Sequence, residues 1–293
     1  VKSIAEKIAD LKGRLDNTER EIKSIISELK YTTETSNLYY AGIKVKLNKT
    51  YREINNIYMD WSKSEIPDSF NGLIKKEIQR VKAYKIPVNK NIDYKTVINR
   101  DSNKQSYTAI MKESIATFQQ SLQTSEKRIN RILYTTQQTA ITEKKLNELL
   151  NQGLINNNDM IQRTSSSKLL KDKLLEQGEK VLIIDKNGNE RNYDVKDYAE
   201  LVARTKLRAI QSESTVAVCN ELDTDLVKIS SHNTETELCQ EYEGKVFSLT
   251  GKNPDFEVID MLPPFHINCK HSIHPIFAEA LRITGDYEKY AKE

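Results

Sequence analysis

The sequence predicts an α+β fold that is mainly α, with long extended N-terminal helices followed by a small C-terminal α+β module. Three observations carry this expectation. Apolar side chains recur at alternating steps of three and four through roughly the first half of the chain. The composition is polar, with 38% hydrophobic and 30% charged residues and only 9 Gly and 6 Pro in 293, which suits solvated helices better than a compact α/β enzyme. From about residue 180 the pattern changes to short apolar runs separated by turn residues.

The first helix is expected over residues 3 to 30. Ile4, Ile8, Leu11, Leu15, Ile22, Ile25 and Leu29 form a heptad seam with Thr18 in its one polar slot, and Ser3 with Glu6 has the spacing of a capping box. Residues 31 to 36 read as a connector. A second helix follows to about Ser62, with Leu47, Tyr51, Ile54, Tyr58 and Trp61 along one face. These aromatics read as packing residues rather than base-stacking platforms. Two such helices with a short join suggest an antiparallel hairpin.

Residues 63 to 103 look mixed, punctuated by Pro67 and Pro87, with a helix at Leu73–Tyr84 and strand or loop character from Lys85 to Arg100. From Lys104 a long helix carries Met111, Ile115, Phe118, Leu122, Ile129 and Ile132, with Ser125 as its polar exception, and continues to Leu150. The run Asn156-Asn157-Asn158 breaks the pattern, and Lys168–Gln177 reads as a short helix closed by Gly178. Residues 181–184 and 190–193 flank Asn187-Gly188-Asn189 in a β-hairpin signature. A helix follows through Tyr198, Leu201, Leu207 and Ile210, then strands at 225–230 and 245–249. The expected organisation is a helical region over 1–155, a linker with a short helix over 156–178, the α+β module over 179–284, and a tail over 285–293.

Composition narrows the function classes. A net charge of +3 does not indicate a broad nucleic-acid-binding surface, although local lysine patches on the helices leave a DNA-contacting scaffold as one reading. No apolar run reaches the length of a membrane span, and no signal peptide is expected. Three cysteines are too few for a disulfide framework, so synthesis in a reducing cytoplasm is the expectation.

All four histidines and two of the three cysteines fall between Ser230 and His274, in two clusters. The first supplies His232 and Cys239, the second His266, Cys269 and His271. Zinc takes four nitrogen or sulfur donors, commonly from two short knuckles brought together. Cys239, Cys269 and His271 are the leading ligands, and the fourth is His232 or His266. Cys219, remote from the clusters, reads as a small buried hydrophobe. No base at a diagnostic spacing accompanies the cluster, so a structural ion is expected over a catalytic one. The competing reading is a metal-dependent nuclease or hydrolase in which Glu243 or His266 takes part in the reaction.

At these residues the chain resembles the minor head (minor capsid) proteins of tailed bacteriophages, of the Mu F-type head-morphogenesis family. The resemblance rests, in order, on Ala199–Thr205, on Asp225–His232 with its strand and first histidine, on Cys239 followed by Gly244-Lys245-Val246, and on Pro264-Phe265-His266-Ile267-Asn268-Cys269-Lys270-His271. It covers about residues 195 to 276. Members often have a Cys-x-x-Cys pair in the first knuckle, and here Thr236 stands in the earlier place. The resemblance implies a non-enzymatic virion component made in the bacterial host cytoplasm. It implies association with the portal protein or the major capsid protein, with packaged DNA and further copies of the chain as additional candidates, and a part in head assembly, genome packaging or delivery.

Overall fold

A computed structural model describes residues 2–27, 37–83, 92–151, 180–184 and 190–292. The expected connector at 31–36, Pro87, the asparagine break, the helix at 168–177 and the turn at 187–189 lie outside these residues. The elements run α1 (Ile4–Ser27), α2 (Asn37–Ala83), α3 (Tyr94–Asn99), α4 (Asp101–Asn151), β1 (Lys180–Ile184), β2 (Glu190–Asp194), α5 (Val195–Leu222), β3 (Leu226–Ile229), α6 (Glu237–Gln240), β4 (Val246–Ser248), β5 (Ile273–Ile276), α7 (Ala278–Thr284) and α8 (Tyr287–Tyr290). The fold is therefore mainly α with two small sheets, as the sequence predicts.

The seams of α1, α2 and α4 follow the expected residues closely. In α1, Ile8, Leu11, Leu15, Ile22 and Ile25 are buried, and so is Thr18, whose hydroxyl donates to the Leu15 carbonyl at 2.7 Å. In α4, Phe118, Leu122 and Ile129 are buried together with Ser125, which donates to the Ser121 carbonyl at 3.0 Å. Both polar exceptions thus bond within their own helix and remain inside the seam. The capping box forms: the Ser3 N–H donates to Glu6 Oε2 at 2.6 Å, and the Glu6 N–H to Ser3 Oγ at 3.2 Å.

Two expectations for 63–103 are overturned. α2 does not stop near Ser62 but runs through Pro67 to Ala83. Proline removes one helical N–H donor at a cost of about 3 kcal/mol. Ile66, Phe70 and Ile74 are all buried around it, so packing of one continuous apolar face outweighs that loss. Residues 94–99 are helical rather than strand or loop. Asp93 caps α3 by accepting from the Lys95 N–H at 3.2 Å, and Val97 anchors it in the core.

The chain divides into two compact units, one of Val1–Ile8, Trp61–Ile115 and Leu201–Glu293, the other of Ala9–Asp60 and Ala116–Glu200. In the second unit, Tyr58 stacks on Phe118 at 4.0 Å between centroids, and Phe118 stacks in turn near Tyr198 at 5.9 Å. β1 and β2 pair antiparallel, and α5 begins directly after β2, its Lys196 N–H donating to Glu19 at 2.9 Å. In the first unit, Trp61 is fully buried and donates from Nε1 to the Lys7 carbonyl at 3.2 Å. Tyr51, Tyr58 and Trp61 are therefore core residues, not stacking platforms.

The first unit also holds the three-stranded sheet, ordered β4-β3-β5 with β3 antiparallel to both neighbours. The sequence reading missed β5. Its four residues include Pro275, which lacks a ladder donor and is tolerated because β5 is an edge strand. Val227 and Ile229 of β3, with Phe247, Phe265 and Ile273, form the cluster in which Cys239 and Cys269 are buried.

Candidate metal centre

Two similar turns present the cysteines. The Cys239 N–H donates to the Thr236 carbonyl at 2.9 Å, and the Cys269 N–H donates to the His266 carbonyl at 3.1 Å. Each knuckle therefore places a cysteine three residues after the start of a tight turn. Asn268 adopts φ 66° in the second turn, a left-handed conformation that asparagine tolerates better than most residues. Thr236 opens the first turn with an exposed side chain, so the turn forms there without a second cysteine.

The turns bring Cys239, His266 and Cys269 together, with one donor atom from each within 4.8 Å of the others. Both thiols are buried and His266 is half-buried. The His266 Nδ1 lies 2.6 Å from the Ile267 carbonyl, so that nitrogen carries the proton and Nε2 keeps the lone pair a metal requires. His271 is buried beside them, its Nδ1 3.5 Å from Cys269 Sγ. Its Nε2 lies 3.6 Å from Glu243 and has no hydrogen-bond partner among the described residues. His232 stands outside this group: it is exposed, its Nε2 lies 2.9 Å from Ser230 Oγ, and its ring meets the His271 ring edge-on at 5.0 Å.

Glu243 organises the first knuckle. Its carboxylate accepts backbone N–H groups of His232 and, at 3.1 Å, Thr234. Those donors, the His232 N–H foremost, hold its carboxyl down to about 2 despite the opposing effect of burial. Asn233 takes φ 52° so that the loop can wrap the carboxylate. Gly244 follows at φ 75°, a left-handed conformation unstrained only for glycine, with the Ser231 hydroxyl 4.0 Å from where a Cβ would stand. The sequence reading considered Glu243 only as a candidate base. Its role as a cradle for loop 232–234 depends on backbone donors that no motif announces.

Burial disfavours charge on the thiol and imidazole donors alike. Burial first, and then the neighbouring Cys269 and Glu243, push the Cys239 thiol up to about 11. Burial likewise lowers the pKa of His271, against the pull of Glu243, which favours the neutral ring. A divalent ion would offset the cost of a buried thiolate, and it binds imidazole in the neutral form that burial already favours. Two thiols and one imidazole are thus gathered from two short knuckles, a soft donor set of the kind that holds a divalent ion, whereas His271, near Cys269 alone, lies outside the group of three. Cys239, His266 and Cys269 could therefore hold a metal ion.

The remaining candidates lie elsewhere. Cys219 is fully buried in the hydrophobic cluster, and burial pushes its thiol far up. His274 accepts from Arg80 Nη1 through its Nδ1 at 2.5 Å and faces Glu77 at 3.6 Å. No helix among the described residues is long and apolar enough to cross a membrane.

Compared with known protein families, residues 95–291 match the family described as phage minor capsid protein 2. The search of curated proteins and the search of solved structures each return no match.

Proposed function

Because the chain belongs to the phage minor capsid protein 2 family, and so is a structural protein of the phage capsid, we propose that it acts at the portal vertex. There it joins the portal protein to neighbouring head proteins and assists head assembly, genome packaging or delivery. The observation that carries this reading is the extent of the match, which begins in α3 and takes in α4, α5 and the whole knuckle module. The long helices supply the contact surfaces. The knuckles pin the module that ends the chain's described part.

In this reading Cys239, Cys269, His266 and His271 hold a structural zinc ion, with Glu243 orienting His271 from behind. Four protein donors leave no open coordination position, which is the arrangement of structural and not catalytic zinc. The ion supplies cross-linking and no chemistry. Thr236 is the position that the Cys-x-x-Cys pattern would fill, and His271 takes over its share of the coordination.

Cross-linking mass spectrometry on purified virions tests the location. Cross-links from α2 or α4 to the portal protein are expected. Cross-links confined to the major capsid protein, or absence of the chain from virions, would sink the portal assignment. Metal analysis of the purified chain tests the pin, with about one zinc per chain expected.

A further inference from the structure

On the face of the sheet that carries Lys228 and His274, the first unit opens a cavity of about 640 Å³. That is the size of a small-ligand pocket. Its walls are apolar, formed by Pro275, Ile276, Phe277 and Ala280. Two cations, Arg80 and Lys228, reach it, and no acidic residue is among its lining.

The two cations differ in what already engages them. Arg80 donates to His274 Nδ1 at 2.5 Å and lies 3.8 Å from Glu77, a carboxylate only 6% exposed. Arg80 is therefore oriented and partly neutralised from beneath. Since His274 Nδ1 accepts, its proton sits on Nε2, which faces Ser272 Oγ at 3.3 Å. Lys228 is half-buried, donates to the Tyr290 hydroxyl at 2.8 Å and lies 4.8 Å from that ring's centroid. Among the described residues no carboxylate stands within ion-pair distance of it. An ammonium has three donors, and among the described residues only the Tyr290 hydroxyl is recorded as accepting from it, which leaves capacity for an anion at the cavity. A half-buried cation facing apolar walls attracts an anion more strongly than one in bulk water.

We propose that this cavity is a docking site for the C-terminal end of a partner protein, with an apolar last side chain against Ile276, Phe277 and Ala280 and the terminal carboxylate on Lys228. The charge complementarity selects the occupant. A C-terminus carries its carboxylate on the same Cα as its last side chain, so one residue meets both the cation and the apolar wall. Ser230 and Ser231 add hydroxyls at the rim, although both already make bonds, to His232 and Glu243 respectively. That the owner of this terminus is a head protein rests on the assembly role proposed above. The carboxylate chemistry does not, nor does it depend on zinc.

Titration of the full chain with N-acetyl-phenylalanine, its C-terminal amide and inorganic phosphate, followed by NMR, tests the site. The acid is expected to shift resonances of the lining residues and to bind at least fivefold more tightly than the amide. Lys228→Gln is expected to remove that preference, with the far-ultraviolet circular dichroism unchanged. Ala280→Trp, which fills the cavity without touching its charge, is expected to weaken acid and amide alike. Equal binding of acid and amide, an acid preference that survives Lys228→Gln, or phosphate competing as strongly as the acid would each overturn the proposal. The last outcome would indicate a simple anion site. Failure here leaves the cross-linking result untouched, and a missing portal cross-link leaves the fragment result untouched.

Discussion

Along α1, α2 and α4 the buried positions recur every three or four residues and are filled by large apolar or aromatic side chains, with Trp61, Tyr58, Phe118 and Leu47 among the most fully buried. Around β3 the strands are three or four residues long, and much of the order comes from carboxylates that gather backbone donors. Asp225 accepts from Ser248 Oγ, from the Thr250 N–H and hydroxyl at 2.9 and 2.7 Å, and from the Asn253 N–H at 3.3 Å. Glu243 does the same for loop 232–234. The helical seams are thus held by volume, and the knuckle module adds polar chemistry to a small apolar cluster. A helix repeats its own backbone bonds and needs only one apolar face to dock. A short-stranded module has few such bonds and must fix its loops individually.

The largest expected effect lies in the knuckles. Cys269→Ser should abolish stoichiometric zinc and lower the melting temperature on the order of 10 °C, since losing a structural ion removes several kcal/mol of folding free energy. Wild-type protein should show a similar drop when a strong chelator is added, and the variant should show none. A melting temperature indifferent to both changes would mean that the module, like the helices, stands on packing alone.

Phe118→Ala is the matching test of the seams. It removes the ring between Tyr58 and Tyr198 and should cost about 3–5 kcal/mol. The contrast predicts that this loss is the same with and without chelator and the same at pH 4 and pH 8. A denaturation series at the two pH values checks it. A strongly pH-dependent loss would show that the two regions are not held by distinct kinds of interaction.

These differences also explain what the sequence made legible. The seams could be read because a period near 3.6 is written into consecutive residues, including Thr18 and Ser125 as polar members. Pro67 misled because its local cost is visible in sequence, whereas the burial of Ile66, Phe70 and Ile74 against it is not. β5 was missed because four residues containing His274 and Pro275 carry no alternation. The donor types of the knuckles were legible, and so was their pairing in two clusters. Which histidine joins the two cysteines was not, because it depends on how each turn aims its side chains: the structure brings His266 to them and leaves His232 beside Ser230. The carboxylate cradles were least legible, since the partners of Asp225 lie 23 to 28 residues away.

Asp225→Asn probes such a cradle and should cost roughly 1–2 kcal/mol at neutral pH. Burial opposes ionisation of Asp225, but the bonds from Ser248, Thr250 and Asn253 outweigh it and hold the carboxyl below its ordinary value. A group depressed on folding contributes fully above its unfolded value and loses that contribution as pH falls through the lower folded one. The gap between wild type and variant should therefore be constant above the ordinary aspartate range and narrow as pH falls through the depressed folded value. A gap that stays constant to pH 2 would assign the effect to shape rather than charge.

The smallest effect should come from the capping box, where the helical region borrows the module's device. Ser3→Ala removes the hydroxyl that receives the Glu6 N–H and should cost about 0.5–1 kcal/mol. The Ser3 N–H, and then its hydroxyl, lower the Glu6 pKa, so by the same linkage the cap helps above the unfolded carboxylate range and fades as pH falls through the depressed value. Amide exchange separates this local effect from the seam. The first turn of α1 should exchange several-fold faster in the variant, while amides at Leu15 and Ile22, deep in the seam, should keep their wild-type rates. Faster exchange along the whole helix would mean that the cap and seam open as one unit, and that even in the region held by volume the stability rests on a polar contact at its end.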